Sequence, residues 1–109
     1  TDIVLTEHVG MSNLSLTTQP KEIDTHIYER DTEWLKESDL VIAECTCPSL
    51  GVGYELAYAE AHSIPAYVFY DKSKSNISAM LNGNSYFTVI PYESEADIYP
   101  VLDKILHRQ

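Results

Sequence analysis

The 109 residues fit one domain, spanning 1–109, and leave no room for two. Apolar residues make up 44% and charged residues 22%, which suits a chain that folds around a core and excludes a disordered tail. Seventeen acids against seven Lys and Arg give a formal charge of −10, which disfavours nucleic acid and anionic membrane surfaces as partners but leaves room for a small phosphorylated ligand held by local amides.

The sequence opens at Thr1, without a Met, and Ile3, Val4 and Leu5 already read as a short strand. Residues 8–23 read as a polar loop broken by Gly10, Asn13 and Pro20, with His8 near the strand end. Asp24 or Thr25 is placed to cap a helix running to about Ser38, on which Ile27, Trp34 and Leu35 share a face with Asp31 between them. Leu40 to Ala43 is a continuous apolar run, the pattern of a strand buried on both faces. The loop 44–50 follows, then a helix from about Gly51 to Ser63. Pro65 opens a strand from Ala66 to Tyr70, and Asp71 to Ser75 is a polar turn. Asn76 to Leu81 suits a short helix with Gly83 as its left-handed stop. Tyr86 to Ile90 reads as a further strand, and Ser94 starts a last helix ending near His107.

Strands alternate with helices throughout, which argues a three-layer α/β fold with a doubly wound parallel sheet. Ligands in such sheets collect beyond the carboxyl ends of the strands, so the loop 44–50 is the first place to look. No run approaches the roughly 20 apolar residues of a membrane span, and no signal peptide pattern is present. Cys45 and Cys47 are too few for a disulfide framework or a zinc site, so reduced thiols in a cytoplasmic or nuclear protein are expected.

The segment Pro48-Ser49-Leu50-Gly51-Val52-Gly53-Tyr54-Glu55 is a strand-to-helix turn. Ser49 is a good N-cap, and Gly51 and Gly53 let a ligand approach the backbone. Amides at a helix start, together with the helix dipole, favour an anion such as phosphate. Glu55, in the first turns, would be favoured in its ionised form by the same dipole and is a candidate nucleophile. Each feature alone has a plainer reading: two glycines that pack tightly behind a cap, and an ordinary helix-start glutamate. Asp31 by itself reads as a solvated acid, Ser78 as the cap of a short helix, and Met80 as a core residue.

Together these residues resemble the nucleoside 2-deoxyribosyltransferase superfamily, and within it the branch that hydrolyses 2′-deoxynucleoside 5′-phosphates. The resemblance rests on Ser49 to Glu55 and on Val4-Leu5-Thr6-Glu7-His8-Val9, Asp31-Thr32-Glu33-Trp34-Leu35, Asp39 to Pro48 and Ser78-Ala79-Met80, and it covers about residues 3–105. It implies a flavodoxin-like or Rossmann-like fold with a first strand and helix missing. That strand, with a glycine-rich loop bearing a serine, a tyrosine and an arginine, would lie between the strands at 3–6 and 39–44. Those two strands are therefore expected to face a gap, with marginal stability and doubtful activity for the 109 residues alone.

The resemblance further implies Glu55 as the nucleophile at the anomeric carbon and Asp31 as the acid supporting the sugar and the leaving base. It implies phosphate contacts from Ser49 with the amides of Gly51 and Gly53, and a homodimer in which Ser78 and Met80 reach the partner's site. The transferase branch usually carries an acid six residues before the nucleophile, which recognises a free 5′-hydroxyl. Ser49 stands there and cannot repel a phosphate, so a deoxynucleotide is the expected substrate. The implied reaction is hydrolysis of the N-glycosidic bond through a glutamyl-sugar intermediate, with no metal or organic cofactor. Base exchange, a ribonucleotide substrate and a non-catalytic nucleotide-binding relative are the alternatives.

Overall fold

The computed structural model describes residues 3–7 and 20–107. The expected loop, as far as residue 19, and His8 within it lie outside the described residues. Four strands, β1 (Ile3–Glu7), β2 (Leu40–Glu44), β3 (Ala66–Asp71) and β4 (Thr88–Tyr92), form one parallel sheet in the order β1-β2-β3-β4. The helices are α1 (Lys21–Glu37), α2 (Leu50–Ala61), α3 (Ala79–Asn82) and α4 (Ile98–His107), the last entered through a 3-10 turn at Glu95–Asp97.

Alternate residues of a strand point to opposite faces. Val41, Ala43, Ala66 and Val68 pack with Leu35 of α1, with Val52, Leu56 and Ala59 of α2 and with Phe87. Leu40, Ile42 and Phe69 face the other way, against Ile105 of α4. The sheet thus has α1 to α3 on one side and α4 on the other, the three-layer α/β arrangement expected. A sheet that grows in one direction through crossovers of one hand puts its connecting helices on one face, which explains the segregation.

Several boundaries move for identifiable reasons. β1 pairs directly with β2, Ile3 opposite Leu40 through Glu7 opposite Glu44, so the expected gap between these strands is closed by their own backbone pairing. The helix α1 starts after Pro20 and has no side-chain cap, so Asp24 lies inside its first turn, where a negative charge suits the dipole. Of its apolar residues only Leu35 reaches the core; Ile27 is 36% and Trp34 53% exposed, and Arg30 lies 4.9 Å over the Trp34 ring. Strand β4 begins two residues later than the pattern suggests and runs through Pro91, whose missing N–H is tolerated at a sheet edge. Gly83 has φ −84°, not the left-handed value, and a Cβ there would meet the Ala79 carbonyl oxygen at 2.9 Å. Glycine is needed there for close approach rather than for handedness. No helix among the described residues is long and apolar enough to cross a membrane.

Candidate active site

The loop from β2 into α2 has the expected shape. Ser49 is the N-cap of α2, and its Oγ accepts from the Val52 N–H at 3.3 Å. Val52, Leu56 and Ala59 fix the buried face of this helix against the sheet. Gly51 and Gly53 are both exposed. A Cβ at Gly53 would meet nothing within 4 Å, and one at Gly51 only the Ser49 Oγ at 3.7 Å. The tight-packing explanation of the two glycines therefore fails, and their small size keeps the start of α2 open.

One flank of that start faces a cavity of about 540 Å³ between α2 and α3. Its lining includes Cys45, Ser49, Gly53, Ala57 and Glu60 on one side and Ile77, Ser78, Met80 and Leu81 on the other, with Phe87. Ser78 caps α3, its Oγ accepting from the Met80 N–H at 3.2 Å. Met80 is not core; it is 81% exposed. At the far end Asn84 donates to the Glu60 carboxylate at 3.0 Å. Four of the expected binding residues, Ser49, Gly53, Ser78 and Met80, thus meet around one cavity within a single chain.

Glu55 and Asp31 do not line it. Gly53 and Ala57 are each two residues from Glu55, and two residues turn a helix through roughly 200°, so Glu55 stands on the opposite flank of α2. There it is half-buried. Asp31 is on the neighbouring helix α1, one turn before the buried Leu35, half-buried and paired with the Arg30 Nε at 3.2 Å. The Tyr28 and Tyr54 rings meet edge-on at 6.2 Å and link α1 to α2. The Tyr28 hydroxyl beside it raises the Tyr54 phenol above its ordinary range. The cap residue Ser49 lies on the cavity side, with Gly53 and Ala57.

A group of residues that the sequence did not single out closes the carboxyl edge of the sheet. Glu44, Asp71 and Tyr92 are the last residues of β2, β3 and β4. Glu44 accepts from the Thr46 N–H at 2.7 Å, from the Thr46 hydroxyl at 3.0 Å and from the Tyr92 hydroxyl. Burial, and after it the bond to Glu44, raises the Tyr92 phenol. Asp71 is buried and accepts from the Ser73 hydroxyl at 2.6 Å and its N–H at 3.0 Å, which hold its carboxyl below the usual range. For Glu44 and Asp71, acids ending the largely buried strands β2 and β3 were the available signal; β4 is not buried and gave none for Tyr92. Cys45, half-buried beside Glu44, has its thiol pushed up to about 11, chiefly by burial.

The family model for nucleoside 2-deoxyribosyltransferase matches residues 4–94. The chain belongs to that family. The 5-hydroxymethyl-dUMP N-hydrolase of Danio rerio is 46% identical over 83 residues, covering 75% of this chain and 58% of that protein. The protein of the same name from Homo sapiens is 42% identical over 106 residues, covering 93% of this chain and 60% of that protein. The chain therefore matches less than two thirds of the length of these relatives. Among solved structures, the CMP N-glycosidase BcmB of Clostridium botulinum superposes with a TM-score of 0.67 at 26% identity, covering 74% of each chain.

Proposed function

We propose that this protein hydrolyses the N-glycosidic bond of 2′-deoxynucleoside 5′-monophosphates, releasing the base and 2-deoxyribose 5-phosphate. The observation that carries this reading is the start of α2, where Ser49 and two glycines that no packing demands stand six and fewer residues before Glu55. Family membership and the relatives' names, which specify a pyrimidine nucleoside monophosphate in dUMP and CMP, support the substrate class.

The phosphate would sit at the Ser49 cap with the amide of Gly51; the Gly53 N–H donates to the Ser49 carbonyl at 3.0 Å, so Gly53 contributes open space rather than a donor. Ser49 and Glu55 are six residues apart, roughly 9 Å along the axis, a span suited to one sugar phosphate lying across the helix start. The Glu55 carboxylate attacks C1′ as the C1′–N bond breaks, and the bonding electrons leave with the base, which takes a proton from Asp31. Water then attacks C1′, gives its proton to the Asp31 carboxylate and displaces Glu55. The missing 2′-hydroxyl of a deoxy sugar eases formation of the cationic transition state. Ser78 and Met80 of each chain complete the partner's site in a homodimer.

The test is Glu55→Ala, assayed by base release from the common deoxynucleoside 5′-monophosphates, 5-hydroxymethyl-dUMP and CMP. Base release is expected to fall by about 10³-fold or more, as for loss of an attacking group, while 2-deoxyribose 5-phosphate still binds. Hydrolysis at the normal rate by the variant overturns the reading. Release of base from CMP in preference to its deoxy analogue moves the substrate to ribonucleotides.

A further inference from the structure

We propose that Thr46, held by Glu44 and Tyr92, is the positioning residue that sets the Ser49 turn for the phosphate end of the ligand; this rests on the reading of that turn given above. The loop leaves the sheet at Cys45, whose N–H still donates to the Phe69 carbonyl at 2.8 Å. It becomes helix at Leu50. Between these points Thr46 carries the anchoring bonds. Its N–H and hydroxyl donate to the two different oxygens of the Glu44 carboxylate, at 2.7 and 3.0 Å. Its Oγ also accepts from the Asp71 N–H at 2.8 Å, which ties the loop to the end of β3. The Tyr92 hydroxyl donates to Glu44 Oε2, the oxygen that also accepts from the Thr46 hydroxyl, and ties it to the end of β4.

The loop is thus fixed from two strands at a point three residues before the cap. A carboxylate that accepts three bonds is confined in position and rotation, so the peptide it grips is confined with it. Thr46 does not itself line the cavity, whereas its chain neighbours Cys45 and Cys47 do, so it acts through the loop. A site that binds by backbone amides needs such a support, because sub-ångström drift of the amides costs affinity.

The discriminating variants are Thr46→Val, which keeps the shape and removes the hydroxyl, Thr46→Ser, which restores it, and Tyr92→Phe. Calorimetry with 2-deoxyribose 5-phosphate and steady-state kinetics with the best deoxynucleoside monophosphate are read together. Thr46→Val is expected to raise Kd and KM about tenfold, as for loss of one or two hydrogen bonds, with kcat within about twofold. Thr46→Ser is expected to recover most of the loss. Alkylation of Cys45 by iodoacetamide, slow in the wild type, is expected to accelerate in Thr46→Val as the loop loosens. If Thr46→Val does not fold, Tyr92→Phe carries the same expectations. Unchanged affinity in a variant whose Cys45 has become reactive overturns the inference, as does a loss confined to kcat. A wild type that binds the sugar phosphate without turnover overturns the hydrolase reading alone, and the variants' affinities still decide this one. A wild type that binds no sugar phosphate overturns both.

Discussion

Cys45 and Cys47 are two residues apart and live in different surroundings. Cys45 is half-buried against the α1–α3 core, and burial with the nearby Glu44 carboxylate pushes its thiol from 9.0 to about 11, whereas Cys47 is exposed. A group whose folded value is raised stabilises the fold below its unfolded value and loses that contribution as pH climbs through the folded one. Stability should therefore fall between about pH 9 and 11. Tyr54, Tyr86 and Tyr92, all raised, push the same way, so the Cys45 share is the part that Cys45→Ala removes from the urea midpoints. An identical pH dependence in that variant would show the thiol to be uncoupled from folding. The Ser49 cap and the two glycines were legible because a turn is written in adjacent residues. The Glu44–Tyr92 bond joins residues 48 apart and could not be read from any local pattern. The sequence pattern puts Glu44 in the loop 44–50 and ends the last strand at Ile90, two residues before Tyr92.

The elements themselves were readable where burial is one-sided or complete. Leu40 to Ala43 is buried throughout, and a run of four apolar residues announces such a strand. Boundaries were lost where backbone chemistry overrides side-chain pattern, as at Pro20, where α1 starts with no side-chain cap, and at Pro91 in the edge strand β4. Helix α2 shows a conflict inside one element. Two glycines in a 12-residue helix weaken it by up to about 1 kcal/mol each relative to alanine, and nothing in the packing repays that. Gly53→Ala is therefore expected to raise the unfolding free energy by about 0.5–1 kcal/mol while weakening sugar-phosphate binding. Chemical denaturation and calorimetry on the same variant check both halves. A variant more stable and equally tight in binding would mean that the open space at Gly53 serves no ligand.

At the scale of the molecule, the cavity rim carries Leu50, 96% exposed, and Met80, 81% exposed, on two elements that face each other. Exposed apolar side chains bordering an apolar cavity are the kind of surface that association buries. The resemblance places Ser78 and Met80 in the partner's site, while the fold places them at this chain's own cavity. Both hold if two cavities open toward one two-fold axis, where a residue serves its own site and its neighbour's. Association must also overcome charge, because each chain carries −10. Repulsion between two such chains is screened as the Debye length shrinks from roughly 14 Å near 0.05 M salt to about 4 Å near 0.5 M, and apolar contact is not weakened by it. The proposed homodimer is therefore expected to tighten as salt is raised, the reverse of an interface held by ion pairs. Met80→Asp should abolish the dimer, leave the α/β far-ultraviolet signature intact and lower base release, all read by sedimentation velocity across a salt series with a parallel assay. A variant that sediments as a monomer at every salt and still releases base at the wild-type rate would confine the whole site to one chain.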